Sequence, residues 1–114
     1  MQRVLCALPL QDLAGVMADV ETDVDEIERD CLLNSAACCL STGEPEAARG
    51  CCDAALAIDP TAWKGWWRRG QSCVALGRKR KAQGDMSKAL SLAPRKCRRP
   101  IHVALAKLQE GVDL

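Results

Sequence analysis

Asn34, Lys64 and Arg68 stand at a spacing that could hold an anion. Lys64 precedes Arg68 by one helical turn, so the two cations leave the same face of a helix, and Asn34 stands 34 residues before Arg68. An ammonium, a guanidinium and an amide together offer directed hydrogen-bond donors, and charge-assisted bonds from such groups to a carboxylate contribute about 1.5–3 kcal/mol each. A peptide ending in Asp presents two carboxylates close together, one on the chain end and one on the last side chain. Ala37, Trp67, Gln71 and His102 are expected to line the same groove. The chemistry in view is the binding of an anion.

Other chemistries lack their residues. The sequence holds no nucleophile with a base at usable spacing, no paired carboxylates in a plausible cleft and no glycine-rich phosphate loop, so neither catalysis nor a bound cofactor is expected. Four of the eight cysteines form the adjacent pairs Cys38-Cys39 and Cys51-Cys52, and no Cys-x-x-Cys occurs. Neighbouring helical residues diverge by about 100°, so each pair aims one sulfur at the core and one elsewhere, poor geometry for zinc. The cysteines are read as small, reduced core side chains. His102 is the lone histidine, with no partner at metal or proton-relay spacing, and taken alone it reads as a helix-surface residue.

The elements that must position these side chains follow from composition and period. A chain of 114 residues, 48% apolar and 27% charged, fits one small domain. Phe and Tyr are absent and Trp occurs three times, so the core must be built from Ala, Leu, Val, Cys and Met, which suits closely packed helices. No apolar run approaches the roughly 18–20 residues of a membrane span. The first residues imitate a signal peptide only weakly, being broken by Pro9, Gln11 and Asp12, and a cytoplasmic location is expected.

Sliding the chain by 34 positions aligns Cys39 with Cys73, Gly43 with Gly77, Ala48 with Ala82, Gly50 with Gly84, Ala55 with Ala89, Leu56 with Leu90 and Pro60 with Pro94. These identities fall where helix packing and turns demand small or punctuating residues, and each unit reads as a helical hairpin. In the first unit Val24, Ile27, Cys31, Leu32, Ser35 and Cys39 trace an apolar stripe, Gly43 ends the helix, and Pro45 opens a second helix running to Ile58. In the second unit, helices are expected over Trp63 to Leu76 and Lys79 to Leu92. Pro100 to Gln109 follows as an amphipathic capping helix. The expected organisation is all-α: an acidic N-terminal helical segment over residues 1–28, repeats over 29–62 and 63–96, and a cap over 97–114.

Charge divides along the chain. Residues 1–60 hold twelve acids and three bases, while residues 61–114 hold three acids and thirteen bases. The runs Arg78 to Lys81 and Arg95 to Arg99 could meet phosphates. Without interleaved aromatics, a recognition helix or a zinc finger, no specific nucleic-acid partner is expected.

At these residues the chain resembles the tetratricopeptide repeat, a 34-residue helical hairpin of pattern W-x2-LG-x2-Y, A-x3-F, P. The second unit supplies Trp66, Gly70, Cys73, Ala82, Met86 and Pro94 in register, and the first supplies Leu32, Ala36, Cys39, Ala48, Cys52 and Pro60. Cysteine stands at the usual Tyr position in both units, and Cys52 and Met86 replace the usual aromatic, which implies a looser array. The stretches Leu32 to Leu40 and Trp63 to Gly70 are similar to the chaperone-binding repeats of FKBP-type immunophilins and related co-chaperones.

That resemblance implies a carboxylate clamp made by Asn34, Lys64 and Arg68. The implied partner is the acidic C-terminal tail of a 90-kDa or 70-kDa heat-shock chaperone. The family's clamp also draws a Lys and an Asn from an earlier helix, for which this sequence offers no counterpart; residues 1–20 correspond at most to the second helix of a degenerate first repeat. Two alternatives stand beside it, a repeat scaffold without carboxylate preference and a truncated FKBP-type peptidyl-prolyl isomerase lacking its catalytic domain.

Overall fold

The computed structural model describes residues 20–110, with side chains from Val24 onward. The part of the expected acidic segment that precedes Val20, and the end of the cap beyond Glu110, lie outside the described residues. Within them the chain is all-α, with no strand. Five helices follow one another: α1 (Val20–Ser41), α2 (Pro45–Ile58), α3 (Trp63–Ala75), α4 (Lys79–Leu92) and α5 (Arg98–Gln109). A 3₁₀ turn, Arg95–Cys97, leads into α5, which begins two residues before the expected Pro100. Each helix packs on the next, and α1 also reaches α3, so the hairpins stack into an array.

The hairpin turns form where the repeat places glycine. Gly43 and Gly77 take φ of +76° and +78°, a left-handed conformation that costs a residue without Cβ nothing. The amide after each glycine then closes the helix it ends: Glu44 N–H donates to the Cys39 carbonyl at 2.7 Å and Arg78 N–H to the Cys73 carbonyl at 2.8 Å. Pro45 opens α2, where a missing N–H costs no helical bond.

Two apolar clusters hold the array. Ala36, Ala48 and Cys52 are fully buried in the first hairpin, with Cys39, Leu40 and Cys51 packed around them. The second cluster is larger, joining Cys73, Ala82, Met86, Ala89 and Ala93 to Ile101, Leu105 and Leu108 of α5, with all three tryptophans against it. α5 therefore covers the open face of the second hairpin, as its amphipathic spacing requires. Met86 fills its place so closely that a Cβ on Gly70 would lie 2.9 Å from its Cγ. The array is tight at that point. A cavity of about 310 Å³ remains beside it, between Trp67, Gln71, Val74, Met86 and Ala104.

The stripe expected as the core face of α1 needs correction. The buried residues are Leu33 and Ala36, whereas Val24 is 53% exposed and Ile27 38% exposed. At about 100° per residue, Val24, Ile27 and Cys31 lie on the side of α1 opposite Leu33. The start of the stripe is thus exposed, whereas Cys39 at its other end packs on the Ala36, Ala48 and Cys52 cluster beside Cys51 of α2. The reading of the cysteines as core side chains holds for Cys52 and Cys73; Cys38 is exposed, and Cys31, Cys39, Cys51 and Cys97 are half-buried. Each adjacent pair does split as the helical geometry demands, one sulfur further in than the other.

No described helix is long and apolar enough to cross a membrane.

Candidate functional site

The stacking of α1 on α3 brings Asn34, Lys64 and Arg68 to one cavity of about 230 Å³, whose remaining walls are Asp30 and Leu33. Residues one repeat apart occupy equivalent places on successive first helices, so Asn34 and Arg68 meet across the seam, and Lys64 joins them one turn earlier on α3. The Arg68 guanidinium is anchored, because Nη1 donates to the Leu33 carbonyl of α1 at 2.8 Å. A guanidinium carries five N–H donors, so this single bond leaves the others for a ligand. Lys64 Nζ lies 6.0 Å from the Trp63 ring centroid and forms no ion pair among the described residues. Asn34 is exposed. The three donors are therefore close, accessible and largely unspent.

The four groove residues separate. Trp67 and Gln71 line the apolar cavity of about 310 Å³ between α3 and α5. Ala37 is half-buried on α1, one turn beyond Asn34, and lines neither cavity. His102 is exposed on α5 and likewise lines neither.

Asp30 is the wall that sequence reasoning missed. It stands 34 residues before Lys64, the same displacement that links Asn34 to Arg68, so the period itself could have found it. Asp30 Oδ1 accepts from Arg29 Nε at 3.1 Å, and Arg29 Nη1 reaches Asp59 Oδ2 at 2.8 Å. Asp59 also accepts from the Thr61 hydroxyl at 2.6 Å and the Thr61 N–H at 3.0 Å. These Thr61 bonds, with Arg29, hold its carboxyl below the usual carboxylate range. The Asp59 turn thus tethers α1 to the loop that introduces α3, and fixes the seam on which the site depends.

Behind α3 lies a second polar arrangement, also absent from the sequence reading. Arg69 donates through Nε and Nη2 to both oxygens of Asp85, at 3.0 and 2.8 Å, and through Nη1 to Asp53 of α2 at 2.9 Å. Its guanidinium carbon stacks 4.7 Å from the Trp66 ring centroid, while Trp66 Nε1 donates to the Pro60 carbonyl at 2.8 Å. Asp85 is 4% exposed. Bidentate pairing with Asp85 outweighs burial and drives the affinity of Arg69 for its proton upward. The sequence signal was Asp85 itself, the sole acid on a helix with four bases.

Burial pushes the Cys52 thiol up to about 12, and loss of solvent also raises Cys73 and Cys39, so all three stay protonated at neutral pH.

No protein-family model matches the chain. Over 62 residues, 54% of its length, it is 40% identical to the FK506-binding protein-like protein of Homo sapiens. The like-named proteins of Mus musculus and Rattus norvegicus match to the same extent. In each case the match spans 18% of the relative's length.

Proposed function

We propose that the chain is a tetratricopeptide-type binding module of the co-chaperone class, which holds the C-terminal carboxylate of a peptide in the cavity between α1 and α3. The observation that carries the reading is the meeting of Asn34, Lys64 and Arg68 in one space of about 230 Å³. The fitting partner is the acidic C-terminal tail of a 90-kDa or 70-kDa heat-shock chaperone, met in the cytoplasm. Similarity to FK506-binding protein-like relatives supports an immunophilin-related setting. The module's part is attachment, not catalysis: its cations and amide bind and orient a chain end and make no bond.

A second reading, a scaffold that takes an extended segment without regard to its end, is favoured by the apolar cavity beside Trp67. Calorimetric titration separates the two. An Asp-ended chaperone-tail peptide is expected to bind the unaltered chain, and at least tenfold weaker binding is expected after C-amidation, Lys64→Ala or Arg68→Ala. Equal binding in all four cases leaves the scaffold reading.

A further inference from the structure

The cavity that gathers Asn34, Lys64 and Arg68 adjoins another of the same volume, about 230 Å³, and the two share Asp30, Leu33 and Lys64 as walls. The second brings in Arg29, Asp59 and Trp63. A ligand seated at the seam therefore meets five charged side chains: Arg29, Lys64 and Arg68 against Asp30 and Asp59. Arg29 is committed to both acids, at 3.1 and 2.8 Å, so this triad carries one net negative charge. Lys64 and Arg68 stand opposite it with two positive charges. The joined space is left with a surplus of a single positive charge. Asp30 occupies in the first hairpin the place that Lys64 occupies in the second, so a repeat position able to supply a cation supplies a carboxylate instead.

We infer that the site accepts one carboxylate, that of the chain end, and that Asp30 discriminates against a second negative charge on the ligand's last side chain. The inference rests on the chain-end reading given above and narrows it. An Asp-ended tail still binds through its main-chain carboxylate, but its last side chain adds nothing, because the attraction of Lys64 and Arg68 for a second carboxylate is offset by repulsion from Asp30. A ligand whose last side chain is uncharged meets no such opposition, and Leu33 and Trp63 offer it apolar walls.

The test uses the unaltered chain, Asp30→Asn and Asp30→Ala, titrated with three versions of one tail peptide: ending in Asp, ending in Asn, and ending in Asn with the C-terminus amidated. Asp30 is exposed, so both variants are expected to fold, and circular dichroism checks that they do. For the unaltered chain, the Asp-ended and Asn-ended peptides should differ by less than about threefold. In both variants the Asp-ended peptide should gain roughly tenfold more in affinity than the Asn-ended peptide does, the size expected when one like charge leaves a partly solvated site. A tenfold preference of the unaltered chain for the Asp-ended peptide overturns the inference, as does an Asp-to-Asn ratio unmoved by the substitutions. Both results leave the chain-end reading intact if amidation still weakens binding tenfold. If amidation makes no difference, the chain-end reading falls and the inference falls with it.

Discussion

Arg68 and Arg69 are neighbours on α3, yet the first leans by one bond on a backbone carbonyl at the rim of an open cavity, while the second is held by two carboxylates against an indole ring. Successive helical residues point about 100° apart, which is enough to send one toward α1 and the other toward α2 and α4. The groove face of α3 carries donors with little to bind; on the back face every guanidinium nitrogen of Arg69 donates to a carboxylate. Positive charge by itself therefore does not mark a candidate site in this molecule. What marks one is a cation whose hydrogen bonds are unspent, and residue type cannot say which of two adjacent arginines that will be.

The contrast breaks most visibly at Asp85. Asp85→Ala should lower unfolding stability by about 3–4 kcal/mol, because it strands Arg69 with only the more exposed Asp53. Urea unfolding measures it, and a loss under about 1 kcal/mol would mean that the back face is no more committed than the groove. Arg68→Ala should do the opposite, weakening tail-peptide binding by about 1.5–3 kcal/mol while moving the unfolding midpoint little, since it removes a single hydrogen bond. Paired calorimetry and urea melts on that variant decide whether the two arginines differ in kind.

Packing sharpens the same comparison at smaller amplitude. Gly70→Ala forces a Cβ to within 2.9 Å of Met86 Cγ, and the strain should exceed the gain in helix propensity, for a net loss of about 1 kcal/mol. At Gly84, on the outer side of α4, nothing lies within 4 Å, and alanine should stabilise by about 0.5–1 kcal/mol. Opposite signs in thermal melts are the expected result; equal signs would remove the tight back face.

The smallest effect concerns acid. Asp59 has its carboxyl held below the ordinary range, so it contributes stability above that range and loses it as pH falls through the lowered value. Below about pH 4 the seam between α1 and α3 should weaken by under about 1 kcal/mol. The drop, followed by urea melts between pH 5 and 2, should be smaller in Asp59→Asn.

Much of the architecture was legible because the 34-residue period and its punctuation are local chemistry. Pro45 to Ile58 and Lys79 to Leu92 form helices over the expected spans, and Gly43 and Gly77 turn where the repeat requires. The inward face of α1 was not legible, since a stripe of Val24, Ile27 and Cys31 at helical spacing looks the same whether it meets a core or faces outward. Ala36 was buried instead by α2 and Leu33 by α3, neighbours that one helix cannot announce. For the site, register alone brought Asn34 to Lys64 and Arg68. The same register was not applied to Asp30, whose acidic surroundings in the sequence disguised it as part of a solvated run. Arg69 and Asp85 were hidden for a different reason: 16 residues apart and on separate helices, they are joined only by the hairpin's closure.

The bond from Arg68 to the Leu33 carbonyl ties grip to posture. The guanidinium takes its bearing from the helix of the preceding hairpin, so the orientation of this cation on α3 is set by how the two hairpins are stacked.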